Sequence, residues 1–360
     1  SATLHQDSMQ SKTTIIASKE FETHTMTLND QVIDLSIDNT TNKRLFNCIN
    51  ASLNRCQDYI VDDGKILIKK EDWKQYKLKI ISSNNFPTAA GLASSASGLA
   101  CFTHCLTTLY QVKESYLGEI STIARQGSGS ACRSMYGGWV EWQMGHKDDG
   151  TDSIAAQVAD ETIWDDMCII ILVVNKGAKE TPSTSGMKTS VKNSTLLTHR
   201  TSTVVPQRMK NIKQAIHQND FNTFATITMK DSNQFHAICA DTYPPIFYLN
   251  ETSHRIISIC HYINDLSIKE NGQLKVAYTF DAGPNAVLYL PKKEVNEVMQ
   301  IFATYFNQPQ IDDVFNIYNK KEENQSNLVK NTLEQYTNSN QQYGISRIIV
   351  TKPGPGPQIL

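Results

Sequence analysis

Apolar positions in the first 80 residues follow two different periods. Residues 13–18 and 22–28 are β-rich, whereas Leu45, Ile49, Leu53 and Ile60 recur near the helical period and predict one helix between them. Tyr76-Lys-Leu-Lys-Ile-Ile-Ser82 alternates at period two, as a strand with one buried face does. It runs into a Gly/Ser-rich loop, after which Ala93, Ala96, Ala100, Cys101 and Leu106 suit a buried helix from 92 to about 110. The result is a strand–loop–helix unit. A second helix is predicted over 114–125, then a turn-rich loop over 126–133 and a strand over 138–144. Residues 167–174 are continuously apolar and mostly β-branched, suiting a central strand. The polar loop 175–185 is the expected junction between two lobes, 1–178 and 179–360. Helices are expected to about 265, then strands at 275–280 and 286–290 bracketing Asp281, and a closing strand at 347–351. Residues 319–342 are rich in Asn, Gln and Lys and read as a solvated, partly disordered insertion around one helix. No internal repeat is visible.

Composition narrows the class. A chain of 360 residues is long enough for about two domains and a sizeable core. Its 34 Lys and Arg against 36 Asp and Glu leave a net charge of −2, so no overall basic field draws it to nucleic acid or an anionic membrane. An anion site must be local. No stretch approaches the ~18 unbroken apolar residues of a membrane span, and no signal-peptide layout opens the chain. The eight cysteines lack both the dense spacing of a secreted scaffold and a C-x-x-C pair, pointing to a reducing cytoplasm.

Two segments carry candidate chemistry. In Asn84-Asn-Phe-Pro-Thr-Ala-Ala-Gly-Leu-Ala-Ser-Ser-Ala-Ser-Gly98 a Gly/Ser turn feeds a helix, which aims backbone N–H groups and the positive helix end at one spot, where a phosphate can sit. Neither a P-loop nor a G-x-G-x-x-G motif is present, and the same turn could be purely structural. In Tyr278-Thr-Phe-Asp-Ala-Gly-Pro-Asn-Ala286, Asp281 is either a catalytic acid or a turn-capping aspartate. Arg133 is either an anion ligand or half of a surface ion pair. Cys101, His104 and Cys105 lie on an apolar helix without a second pair to complete a zinc site, and so read as core. Trp139 and Trp142 alternate as packed strand residues do. The polar helix residues Lys230, Asp231, Asn233 and His236 either line a cleft or bond between lobes.

The spacing Pro87-x-x-x-Gly91-Leu92-x-Ser94-Ser95-Ala96 resembles the phosphate loop of the GHMP kinase superfamily. Thr3-Leu-His-Gln-Asp7, Gly127-Ser-Gly-Ser-Ala-Cys-Arg-Ser134, Glu141-Trp-Gln-Met-Gly145, Met229-Lys-Asp-Ser-Asn-Gln-Phe-His236, Phe280-Asp-Ala-Gly-Pro-Asn-Ala286 and Gly354-Pro-Gly-Pro-Gln-Ile-Leu360 extend the resemblance, in order, to the diphosphomevalonate decarboxylase family. The resemblance implies an α+β fold with an S5-like N-terminal lobe and a ferredoxin-like C-terminal lobe. It implies ATP-dependent conversion of mevalonate 5-diphosphate to isopentenyl diphosphate, ADP, phosphate and CO2 by a cytoplasmic homodimer. Small-molecule GHMP kinases end a G-x-x-S-G-x-D loop in aspartate, where this chain has Arg133. A guanidinium suits a substrate whose carboxylate must be gripped and kept ionised. Asp281 would then be the catalytic carboxylate.

The implied ATP and phosphate ligands are Pro87, Ala90, Gly91, Leu92, Ala93, Ser94 and Ser95. Ser128, Gly129, Ser130, Arg133 and Ser183 would face the substrate, and Mg2+ would enter on the nucleotide with no protein ligand named. In the family, a segment ahead of the Thr3–Asp7 equivalent carries an Ala-Val-x-Lys-Tyr-Trp-Gly-Lys-like motif, which nothing here matches. The expectation is a protein poorly active from Ser1, with residues 1–6 left as an unpaired edge prone to aggregation. Lys179 or Lys188 is the alternative source of the cation. A related mevalonate-phosphate decarboxylase or kinase, or a silent GHMP-fold binding module, remain the other readings.

Overall fold

The structure, a computed structural model, describes residues 1–36, 38–86, 94–174, 181–319, 326–337 and 344–360. Among them the chain forms two compact units, one of residues up to 161 together with 354–360, the other of 162–353.

In the first unit the elements run β1 (Ser11–Ser18), β2 (Thr25–Leu28), β3 (Gln31–Ile33), α1 (Thr40–Leu53), β4 (Tyr59–Ile60), β5 (Ile66–Ile68), β6 (Lys77–Asn84), α2 (Ser94–Leu109), α3 (Glu119–Gly127), β7 (Trp139–Trp142) and β8 (Ala155–Ala159). The predicted alternation of β6 is realised: Leu78 and Ile80 point inward while Lys79 and Ile81 point out. β6 lies between β1 (antiparallel) and β2 (parallel), with β3 at the edge. The buried face packs on Leu45, Cys48 and Ile49 of α1 and Phe102 and Leu106 of α2, around Trp73. Each fully buried Leu or Ile there contributes about 1.5–3 kcal/mol.

The first helix stops at Leu53, earlier than its apolar spacing predicts, and Ile60 pairs with Ile66 in the small β4–β5 ladder instead. The intervening chain is committed elsewhere: Gln57 donates its N–H to the Tyr110 carbonyl and accepts the Trp73 indole N–H at its own carbonyl. The helix expected from 114 begins only at Glu119, because Gly118 holds a left-handed φ of 89° that a helix interior excludes. Residues 1–6, expected as an unpaired edge, are paired. Thr3 N–H donates to the Gly138 carbonyl, Val140 N–H to Ser1 and Gly354 N–H to Thr3, each at 2.8 Å. At Gly354 a Cβ would lie 2.3 Å from the His5 Cα, so only glycine lets the C-terminal segment stitch onto this unit.

The second unit contains β9 (Met167–Val174), α4 (Ser183–Asn193), α5 (Thr195–His199), α6 (Val205–Gln218), α7 (Phe221–Asp241), α8 (Glu251–Asn271), β10 (Ala277–Phe280), β11 (Ala286–Pro291), α9 (Val295–Tyr305), β12 (Gln310–Asp312), α10 (Asn327–Thr337) and β13 (Ile345–Thr351). Its sheet order is β10-β11-β9-β13-β12, antiparallel except for β12 against β13. β9 is the middle strand and all eight of its residues are buried. The junction therefore falls ahead of it, near 161, and not at 178, where the polar composition placed it. Ile256, Ile259, Cys260 and Ile263 of α8 and Val298, Met299 and Phe302 of α9 pack on this sheet. β10 is an edge strand, so the last strand before Asp281 has one side free of strand partners.

All eight cysteines are free. Cys101 and Cys105 donate their thiols to the Ser11 and Thr13 carbonyls, as packing residues do. Among the described residues no helix is long and apolar enough to cross a membrane.

Candidate active site

In the first unit, one group of candidate residues lies where α2 begins. Ser94 and Ser95 are its first two residues, the former half-buried and the latter exposed, and the first-turn N–H groups of such a helix have no carbonyl partner within it. Hydroxyls fix this turn in place. Ser11 donates to the Asn84 side-chain oxygen at 2.6 Å, which leaves Ser97 to donate to Ser11 at 2.8 Å. The start of α2 is thus tied to the end of β6. Pro87, Ala90, Gly91, Leu92 and Ala93 lie outside the described residues.

α3 leads into the predicted Ser/Gly turn, which the structure winds into a 3-10 helix over Gly129–Met135. Ala131 packs with Ala100 of α2 and Ala124 of α3, small residues that let three backbones converge. Ser128 and Ser130 place their hydroxyls 3.3 Å apart on this turn, both half-buried. Arg133 donates Nε to the Ser1 hydroxyl at 2.7 Å and lies 5.6 Å from the Trp142 ring centroid. Both of these supports are neutral groups, and together they orient the guanidinium. Trp142, expected only to pack, is 41 % exposed and anchored by its own indole N–H to Ser153. No local signal marks it, because its partner is nine residues back on another element.

The second unit holds Asp281, exposed at the end of β10. The loop that follows is pinned at several points. Gly283 N–H returns to the Asp281 carbonyl at 2.7 Å, Ser253 of α8 donates to the Pro284 carbonyl, and Asn285 accepts the Val174 N–H through its side chain. β10 itself is bound along its free edge by α7: Phe280 N–H donates to the Ser232 hydroxyl at 3.0 Å, and the Tyr278 hydroxyl donates to Asn233. Asn233 thus bonds within the second unit. So does Asp231, which burial alone would raise but which Arg200 and Arg208 hold below the ordinary carboxylate range.

Ser183 opens α4 after Pro182. One turn on, Gly186 sits so close to Tyr248 that a Cβ would lie 2.6 Å from its hydroxyl. Tyr248 shares a buried cluster with Cys239, Ile246 and Ala282, the residue after Asp281. The second unit therefore carries Ser183 and Asp281 on elements packed against one tyrosine. Lys188 lies exposed on α4, and Lys179 falls outside the described residues. Among the described residues no group of three or more His, Cys, Asp or Glu could hold a metal ion. The donors at Ser94, Ser95, Ser128 and Ser130 are hydroxyl and backbone N–H groups, which suit phosphate oxygens.

An α+β chain of this topology, with a serine-rich helix start in its first unit, has the GHMP kinase fold. Residues 1–155 match the diphosphomevalonate decarboxylase-like N-terminal domain, and residues 169–360 the mevalonate 5-diphosphate decarboxylase C-terminal domain. The chain belongs to the mevalonate 5-diphosphate decarboxylase family. It is 43% identical over 360 residues to the diphosphomevalonate decarboxylase of Danio rerio, covering 100% of this chain and 85% of that protein. A solved mevalonate 5-diphosphate decarboxylase is similar at a TM-score of 0.79 and 40% identity, over 99% of this chain and 88% of that one. The enzyme from Enterococcus faecalis, solved in work on its mevalonate diphosphate-mediated ATP binding, shares the fold at 22% identity and a TM-score of 0.67, over 99% of this chain and 87% of that one.

Proposed function

We propose that the protein is an ATP-dependent carboxy-lyase that converts mevalonate 5-diphosphate to isopentenyl diphosphate, ADP, phosphate and CO2, serving isoprenoid and sterol synthesis. The observation that carries the reading is Arg133: a guanidinium oriented by two neutral groups on a loop where the kinases of this fold carry an aspartate. Full-length similarity to curated decarboxylases supports the same substrate.

The tertiary hydroxyl of the substrate is a poor leaving group, so it is first phosphorylated by ATP. Asp281 orients that hydroxyl and accepts its proton as the γ-phosphoryl group transfers. Ser94 and Ser95 bind ATP phosphates, with Pro87, Ala90, Gly91, Leu92 and Ala93 completing the loop. Ser128, Gly129 and Ser130 take the diphosphate side of the substrate, and Ser183 contacts the transferred group. Mg2+ would enter with the nucleotide, with no protein ligand named, and would supply charge stabilisation for phosphoryl transfer. Arg133 grips the carboxylate through its planar fork and keeps it ionised and aligned. When the tertiary C–O bond breaks, the new phosphate leaves with that electron pair. The electrons of the C–CO2 bond then become the alkene, and CO2 departs. Free cysteines throughout fit a cytoplasmic setting, and the family resemblance supports a homodimer, which light scattering checks directly.

The test is a substrate panel of mevalonate, its 5-phosphate and its 5-diphosphate with ATP, read for CO2 and ADP. The reading expects both products from the diphosphate alone. CO2 from the monophosphate, or ADP without CO2, contradicts it.

A further inference from the structure

The Trp142 indole is held at both of its ends. At the five-membered ring, Nε1–H donates to the Ser153 hydroxyl at 3.1 Å. Ser153 is buried, and its hydroxyl in turn donates to the Gln143 carbonyl at 3.2 Å, so the acceptor is itself fixed. At the six-membered ring the chain passes so near that a Cβ on Gly129 would lie 2.9 Å from Cη2. Gly129 is the first residue of the 3-10 turn that carries Arg133, and the Arg133 guanidinium lies 5.6 Å from the centroid of the same indole. One ring therefore meets this turn at its opening residue and at its cation. An arginine side chain is long and rich in rotamers, so a rigid aromatic face restricts it before any ligand arrives, and the freedom lost on binding is smaller.

We propose that Trp142 is a positioning residue of the decarboxylase reaction, whose anchored ring presents the Arg133 guanidinium to the substrate carboxylate. The proposal rests on the reading of Arg133 given above. A ring that acts through Arg133 has nothing to act on once the fork is gone, so the test is a double-variant cycle read as CO2 and ADP release at saturating mevalonate 5-diphosphate and ATP. In the parent, Trp142→Leu should lower kcat for CO2 by about fivefold or more, with CO2 falling further than ADP. In Arg133→Lys the same substitution should cost less than about twofold. Ser153→Ala keeps the ring and frees its anchored end, and should lower CO2 release about twofold to fivefold in the parent and less than that in Arg133→Lys. Thermal midpoints are measured alongside, and Ser153→Ala carries the test if the leucine variant does not fold. Parent-like turnover in Trp142→Leu, an equal loss in both backgrounds, or a loss in which ADP and CO2 fall together overturns the proposal. Parent-like turnover in Arg133→Lys alone is a different failure: it removes the role of Arg133 itself and takes the proposal with it.

Discussion

In the proposed mechanism Asp281 and Arg133 carry opposite charges for different steps, so their substitutions should fail in different ways. Asp281→Asn keeps the shape of the side chain and loses its basicity. CO2 release should fall by about 100-fold or more, with ligand affinities within tenfold, checked by steady-state kinetics and nucleotide binding. In Arg133→Lys a point charge replaces a fork, and the Trp142 and Ser1 contacts no longer orient it. A loss of at least tenfold in kcat is expected, and a parent-like kcat would remove Arg133 from the mechanism. The placement of both beside turns was legible in the sequence, because short motifs fix it. The contact of Trp142 was not, since its partner, Arg133, lies on another element.

At the scale of elements, legibility followed burial. The run Met167-Cys-Ile-Ile-Ile-Leu-Val-Val174 was read to the residue, because a strand buried on both faces needs no alternation. The same burial explains why the junction was misplaced: a polar loop follows β9, yet the strand belongs to the sheet after it. Ile60 kept the helical spacing of α1 by coincidence, and the turn after Leu53 overrode it. The seating of α4 was invisible in sequence, since nothing local pairs Gly186 with Tyr248. Gly186→Ala should push the helix start away from the Tyr248 hydroxyl and lower kcat severalfold. Tyr248→Phe in the same chain, which removes the obstructing oxygen, should recover part of the loss. A double variant no better than Gly186→Ala would show that this contact does not set the helix.

At the scale of the molecule, buried imidazoles give stability a definite pH dependence. Burial lowers His24, His104 and His236 below the ordinary value of 6.5; Lys77 adds to the shift at His24, while the Phe280 carbonyl and Asp281 partly oppose it at His236. A neutral imidazole in the fold binds fewer protons than the same ring unfolded, so stability is full above about 6.5 and is lost as pH falls toward the folded values. The urea midpoint should decline from pH 7.5 to 5, before carboxylates such as Asp231 begin to protonate. A flat profile would mean that these rings are not buried neutral. The central claim is that one chain both phosphorylates and decarboxylates, with Arg133 holding the carboxylate for the second step. Its most direct test is simultaneous quantification of ADP and CO2 from mevalonate 5-diphosphate in the parent and in Arg133→Lys. Equal molar release in the parent and a larger fall of CO2 than of ADP in the variant are predicted; ADP release by the parent without CO2 would contradict the account.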